Sequence, residues 1–246
     1  MPGLTSFCLQ PYTGLRRLAM QQKGMAMKVG FIGLGTMGKN AAANIRRKGF
    51  DMVVHDIRPE AAEPLLAMGA KRGESPADVL VLCDVVVTMV FGPKEVAEVL
   101  RGPQGFLSVP CAGKSWSDMT TSSPFLMRDL AAEFEAMGGQ AVDAPVTGSV
   151  DAAIRGDMPM FVGGSDAVIE QVRPVIEAMG QLRKVGGYGN GYVAKLVNNQ
   201  LWKIHAAAIG EAMVTAKLAG LDPLVWWEVM KGGAADSFVL SHDVPA

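Results

Sequence analysis

The sequence predicts an α/β chain in two parts, a parallel-sheet domain followed by an all-α domain. Three observations predict it. Short apolar runs alternate with helix-like segments from Lys28 to Gly186, the pattern of parallel strands joined by crossover helices. The first run ends in Gly33-Leu34-Gly35-Thr36-Met37-Gly38, a tight turn that opens a helix. Residues 192–219 then run without proline and with one glycine, Gly210. At about 1.5 Å per residue that is a helix longer than about 40 Å.

The elements follow in order. Val29–Gly33 reads as the first strand and Thr36–Lys48 as its helix. Met52–Asp56 is the second strand, with a helix over Glu60–Met68. Pro76–Leu82 is helical, and Val85–Val90 is the next strand-like run, broken by Gly92-Pro93 before a short helix at Lys94–Leu100. Ser115–Thr121 holds a strand end, and Pro124–Met137 is strongly helical. Gln140–Asp143 and Met160–Val162 read as further strands, and Ala167–Met179 as a helix. Past Gly186 the glycine-rich 186–191 stretch opens the long helix, Gly220-Leu221-Asp222-Pro223 stops it, and a second helix starts near Pro223–Met230. The spacing places a boundary at about residue 187, giving a sheet domain over 27–187 and a helical domain over 188–246.

Strand, glycine turn and helix N-terminus together form a receptor for a dinucleotide pyrophosphate, the arrangement of a Rossmann-type domain. Gly33 permits the sharp turn, Gly35 lets backbone approach phosphate, and Gly38 lets the helix pack on the strand. Leu34, Thr36 and Met37 complete the turn, whose free amides face the anion. About 21 residues beyond Gly35 sits Asp56, where an acid accepts from the adenosine ribose hydroxyls. The plainer reading makes Asp56 a cap for the turn before Pro59. An acid here repels a 2′-phosphate and favours NAD, while Arg58 is the residue through which NADP would bind.

Composition narrows the function. A chain of 246 residues with 49% hydrophobic content buries a full core. A net charge of −1 and no basic stripe among the aromatics argue against a nucleic-acid partner. Cys8, Cys83 and Cys111 are odd in number and widely spaced, which gives neither a disulfide framework nor a metal knuckle. His55, His205 and His242 are scattered, so no metal site is expected. Val79–Phe91 is interrupted by Asp84 and too short to span a bilayer; a soluble, cytoplasmic protein is expected. Residues 1–26 carry Arg16, Arg17 and Lys23 and no acid. They read as upstream or tail sequence before a start at Met25 or Met27, or alternatively as a mitochondrial transit peptide.

Three later segments carry candidate chemistry, each with a plain structural alternative. Asp118-Met-Thr-Thr-Ser-Ser-Pro124 offers hydroxyls at a strand end, suited to orienting a nicotinamide carboxamide or a substrate; equally, it is a helix cap followed by proline. Thr147, Gly148 and Ser149 place hydroxyls and amides on a turn that suits a small carboxylate, or simply turn the chain. Lys195 and Asn199, four apart, share one helix face among apolar neighbours. A helical lysine is ordinarily a solvated charge, but this one stands beside a glycine-rich opening.

Taken together, GFIGLGTMG, DMTTSSP, DAPVTGSV and GNGYVAKLVNNQ resemble, in order, the cofactor signature, hydroxyl motif, substrate loop and catalytic helix of the β-hydroxyacid dehydrogenase family. That family includes 3-hydroxyisobutyrate dehydrogenase and tartronate semialdehyde reductase. The resemblance runs from about Met27 to the end. It implies that Lys195 is the catalytic lysine with Asn199 its partner, that Thr147, Gly148 and Ser149 hold the substrate, and that Thr121 joins the glycine turn among the cofactor contacts. The family's loop usually reads Ser-Gly-Gly where this chain has Thr-Gly-Ser. The family's helical domain also continues beyond the point where this chain stops, so the helical domain is expected to be incomplete. Trp202, Trp226, Trp227, Val229 and Phe238 would then lie uncovered, or be covered by a partner subunit in a dimer or tetramer.

The expectation is an NAD-dependent oxidoreductase that passes hydride between nicotinamide and a small β-hydroxy carboxylate, with Lys195 as general acid or base. The alternatives are an imine reductase, which shares the fold and typically lacks this lysine, and a nucleotide-binding fragment without catalysis.

Overall fold

The computed structural model describes residues 27–242. The leader read over residues 1–26 lies outside the described residues. The described chain forms two compact units that divide between Ala194 and Lys195.

The first unit is built on an eight-stranded sheet. Its strands are β1 (Lys28–Ile32), β2 (Asp51–His55), β3 (Lys71–Arg72), β4 (Val85–Thr88), β5 (Ser115–Asp118), β6 (Gln140–Asp143), β7 (Met158–Gly163) and β8 (Gly180–Gly186). The spatial order is β3-β2-β1-β4-β5-β6-β7-β8, whose first six strands follow the dinucleotide-binding order 3-2-1-4-5-6. β1 and β4 are apolar at almost every position because both faces of a parallel sheet are covered by helices. The side-chain alternation of the strands sorts the core into two layers. Val29, Phe31, Met52, Val54, Val85 and Val87 face one, while Ile32, Val53, Val86 and Trp116 face the other.

The parallel sheet expected from sequence carries one antiparallel joint. β6 and β7 pair antiparallel, at Asp143↔Gly163, and Val146 bridges Met160 in the same sense. The connection between them holds only a six-residue helix, α6 (Val150–Arg155). At about 9 Å that helix is too short to carry the chain back to the far end of the sheet, which a parallel neighbour requires.

The other helices of this unit are α1 (Gly38–Arg47), α2 (Glu63–Ala67), α3 (Pro76–Leu82), α4 (Pro93–Arg101), α5 (Pro124–Ala136) and α7 (Asp166–Met179). Proline in the first turn starts α3, α4 and α5, where its missing N–H costs no helical bond. Glu60–Met68, expected as one helix, divides into a 3₁₀ turn at Pro59–Ala62 and the short α2. Pro64 sits at the junction and has no N–H to bridge the two. β3, α6 and β8 have no counterpart in the sequence reading. β3 has two residues, and β8 is mostly polar with no fully buried position, so neither carries an apolar signal.

The long helix, α8 (Asn190–Leu218), has 29 residues; it begins in the first unit and continues through the second. Asp222 caps α9 (Pro223–Met230) by accepting the Leu224 and Val225 amides at 2.8 and 3.2 Å. A last helix, α10 (Phe238–His242), was not expected. Trp202, Val229 and Phe238 are exposed as anticipated, but Trp226 and Trp227 are half-buried. The Trp227 indole donates to the Leu240 carbonyl at 2.7 Å, and the Lys231 ammonium stands 3.9 Å from its ring centre. Among the described residues no helix is long and apolar enough to cross a membrane.

Candidate active site

The glycine turn lies at the end of β1, and its three glycines do different work. Gly33 has φ +95°, and a Cβ there would lie 2.2 Å from the Met89 carbonyl oxygen. A Cβ at Gly38 would lie 2.0 Å from the Gly33 carbonyl oxygen. Both are demanded by close backbone packing. A Cβ at Gly35 would meet nothing within 4 Å. No contact in the fold itself demands glycine there.

The turn opens into a cleft of about 950 Å³, lined by Gly33, Gly35, Thr36, Met37 and Gly38. Asp56 and Arg58 at the end of β2 line it too, as do Thr120 and Thr121 after β5. The first turn of α1 contains no acid, and its cap residue makes no side-chain hydrogen bond. No side chain competes for the amides at its start, although those of Lys39 and Asn40 already bond the Gly35 and Met37 carbonyls at 3.1 and 3.2 Å. Leu34 differs from its neighbours: its side chain is buried in the core, and only its backbone reaches the site.

Asp56 ties the two rims together. One oxygen accepts the Leu34 amide at 2.6 Å, and the other accepts the Arg58 amide at 2.9 Å. The Arg58 guanidinium is 3.7 Å from the same carboxylate and points largely into solvent. Asp56 therefore braces the glycine turn as well as facing the cleft. Its bond to Arg58 also does part of the turn-capping that the plainer sequence reading assigned to it. Glu95 and Glu98 of α4 line the cleft as well, and nothing in the sequence pattern singled them out.

The hydroxyl-rich segment divides between a helix cap and the cleft wall. Ser123 caps α5, while Thr120 and Thr121 face the cleft. Thr120 also donates to Asp118 at 2.8 Å and accepts the Val90 amide at 3.1 Å. Asp118 is fully buried and receives Thr88 at 2.5 Å and the Tyr192 hydroxyl. Burial raises its pKa to about 6, against hydrogen bonds from Thr88, Tyr192 and Thr120 that hold it down. In the parallel register Asp118 lies beside Asp143, also fully buried and likewise raised by burial. The sequence motifs contain Asp118, Asp143 and Tyr192, but the sequence reading gives none of them a role. The available signal was that two successive strands both end in aspartate.

Thr147, Gly148 and Ser149 follow Val146, which lines the cleft. The Thr147 amide is held by the Pro159 carbonyl at 2.9 Å. Ser149 precedes α6 without making a side-chain cap, and Gly148 and Ser149 are exposed. Of this stretch Val146 lines the cleft, and Thr147, Gly148 and Ser149 are not among its lining residues. Lys195 and Asn199 lie on α8, one turn apart and both half-buried. Desolvation lowers the Lys195 pKa from its ordinary value. The buried Cys83 thiol is pushed up to about 12, chiefly by burial, so it is no nucleophile. Among the described residues no cluster of histidine, cysteine or acidic side chains is arranged to hold a metal ion.

A doubly wound sheet with a glycine-turn cleft at its carboxyl edge defines the class: a dinucleotide-binding domain of an oxidoreductase. Comparison with known proteins narrows it. Residues 28–190 match the NAD binding domain of 6-phosphogluconate dehydrogenase, and residues 189–246 match the NAD-binding family of NADP-dependent 3-hydroxyisobutyrate dehydrogenase. The chain is 37% identical over 215 residues to the 2-hydroxy-3-oxopropionate reductase of Escherichia coli K12, covering 87% of this chain and 73% of that protein. The 3-hydroxyisobutyrate dehydrogenase of Mycobacterium tuberculosis, solved with L-serine, superposes with a TM-score of 0.82 at 29% identity, over 89% of this chain and 75% of that one. An imine reductase from Streptomyces aurantiacus shares the fold, with a TM-score of 0.72 at 23% identity over 80% of this chain and 69% of its own. The chain belongs to the 3-hydroxyisobutyrate dehydrogenase family of NAD(P)-dependent hydroxyacid dehydrogenases.

Proposed function

We propose that this protein interconverts a small β-hydroxy carboxylate, of the 3-hydroxyisobutyrate kind, and its carbonyl form, with NAD as the preferred cofactor. When bound, the nicotinamide supplies the hydride acceptor or donor. Lys195 takes the hydroxyl proton at Nζ during oxidation and returns it to the carbonyl oxygen during reduction. Asn199, one turn away, fixes the substrate hydroxyl or the lysine, and Thr147, Gly148 and Ser149 receive the carboxylate. The observation that carries this reading is the half-buried Lys195, whose pKa is lowered by desolvation. A base must be partly neutral to accept a proton, and burial supplies that condition.

The glycine turn from Gly33 to Gly38, with its open position at Gly35, would hold the dinucleotide together with Asp56 and Thr121. The charge of the cleft supports NAD over NADP. Asp56, Glu95 and Glu98 face it against Arg58, and that guanidinium already sits beside Asp56. A 2′-phosphate would have to enter among those carboxylates. The lysine favours a hydroxyacid over an imine substrate, and the likeness to imine reductases extends to the fold alone. The active species is expected to be a homo-oligomer, which light scattering tests.

The deciding experiment titrates NADH and then NADPH into the protein by fluorescence, followed by a screen of 3-hydroxy acids and cyclic imines for cofactor turnover. Tighter NADH binding with hydroxyacid turnover supports the proposal. Tighter NADPH binding would shift the specificity to Arg58. Turnover of imines alone would replace the substrate class, and binding with no turnover of either class would favour a non-catalytic nucleotide-binding role.

A further inference from the structure

Tyr192 stands in the first turn of α8 and is gripped at two points. Its backbone N–H donates to Asp143 Oδ2 at 2.9 Å, and its phenol donates to Asp118 Oδ2. Asp143 Oδ1 also accepts the Gly189 amide at 3.1 Å. The first-turn amides of a helix have no intrahelical acceptor, so Asp143 serves as a cap supplied from another element, and its charge suits the helix N-terminus. The approach is close enough to demand glycine on both sides. A Cβ at Gly191 would lie 2.3 Å from the Phe161 carbonyl oxygen and 2.7 Å from Asp143 Oδ2, and one at Gly163 would lie 2.3 Å from Asp143 Oδ1. Asp118 extends the grip to the cleft wall, because its other oxygen takes the Thr120 hydroxyl.

All three side chains are buried: Asp118 and Asp143 at 0% and Tyr192 at 1% exposure. Burying two neighbouring carboxylates and a phenol is costly, and a helix start on an apolar sheet edge needs none of them. What the arrangement supplies is a fixed depth and rotation for one helical turn. Held through both its backbone and its side chain, Tyr192 cannot slide or roll without breaking a buried hydrogen bond. Lys195 is three residues further along the same helix, one side-chain row away.

We infer that Tyr192, held between Asp143 and Asp118, is a positioning residue that sets the placement of Lys195 on α8. The functional consequence rests on the proposed catalytic role of Lys195; the placement itself does not. Tyr192→Phe keeps the ring and removes only the hydroxyl, so it tests the phenol's share of the grip.

The primary readout needs no substrate. Lysines are labelled with limiting acetic anhydride, and the Lys195 modification rate is read by peptide mass spectrometry against the exposed Lys94. Tyr192→Phe is expected to change the Lys195 to Lys94 ratio at least threefold. With 3-hydroxyisobutyrate as substrate, it should also lower kcat at least tenfold while the NADH Kd stays within twofold. A ratio unchanged within experimental scatter overturns the inference. If the variant does not fold, hydrogen exchange on the wild-type chain decides. The Tyr192 amide should exchange at least a hundredfold more slowly than an open first-turn amide, and exchange at the open rate overturns the grip. Lys195→Ala with undiminished turnover would remove the catalytic reading, while the labelling ratio still tests the placement.

Discussion

Gly35 gives the sharpest test of the cofactor site, because it separates what the fold needs from what a ligand needs. Gly35→Ala adds one methyl where no protein atom lies within 4 Å, and Gly35 is absent from the positive-φ glycines. Folding stability should therefore stay within about 0.5 kcal/mol of wild type, the usual range for a substitution that touches nothing. The same methyl would occupy the open position into which a pyrophosphate must descend to reach the turn amides. A hydrogen bond to a charged group contributes roughly 1.5–3 kcal/mol, so losing one should weaken NADH by roughly 10–150-fold. Gly38→Ala is the control. Its Cβ would lie 2.0 Å from a backbone oxygen, and such overpacking costs about 1–3 kcal/mol, with Tm falling about 2–4 °C for each kcal/mol. The assay pairs NADH fluorescence titration with thermal unfolding of both variants. The reasoning is refuted if Gly35→Ala binds NADH as wild type does, or if it melts as low as Gly38→Ala.

Three further outcomes are expected. Lys195→Ala should lower turnover by roughly a hundredfold or more while NADH affinity holds; equal losses in both would make the lysine a cofactor contact. Asp56→Ala frees the Leu34 and Arg58 amides and removes a carboxylate from the cleft, so NADH should weaken and the NADH to NADPH preference shrink. An unchanged ratio, measured by paired titrations, would leave Asp56 a brace for the turn and nothing more. Asp118 makes a pH-dependent prediction. Its carboxyl holds its proton to about pH 6 in the native chain, against an ordinary value of 3.8. The native state therefore binds the extra proton between those values, and its contribution to stability falls as pH rises through that window. At 1.36 kcal/mol per pH unit the loss is roughly 3 kcal/mol. Denaturant titrations from pH 4 to 7 should show wild type losing ground to Asp118→Asn, and parallel pH profiles would refute the assignment.

The glycine turn, the strand that leads into it and the helix that leaves it were legible because each is written locally. An apolar run, three glycines and an acid about 21 residues on encode a backbone path through short-range sterics. Pro76–Leu82, Gln140–Asp143 and Pro223–Met230 matched their observed bounds for a similar reason. Proline at the first turn or the end of an apolar run marks a boundary within a few residues. β8 and α10 were not legible, since a polar edge strand and a five-residue helix carry no periodic signal.

The sequence by itself determined the α/β class, the dinucleotide turn and the kinds of side chain on offer for catalysis, all of them properties of neighbouring residues. Tertiary structure alone decided the antiparallel joint between β6 and β7. It also decided the division of labour among the three glycines, which depends on Met89 and on the space beyond Gly35. It alone joined Asp118 and Asp143 to Tyr192, across 74 and 49 residues of sequence. Burial, close approach and hydrogen bonding between distant strands depend on which segments pack together. No window of the chain contains that information.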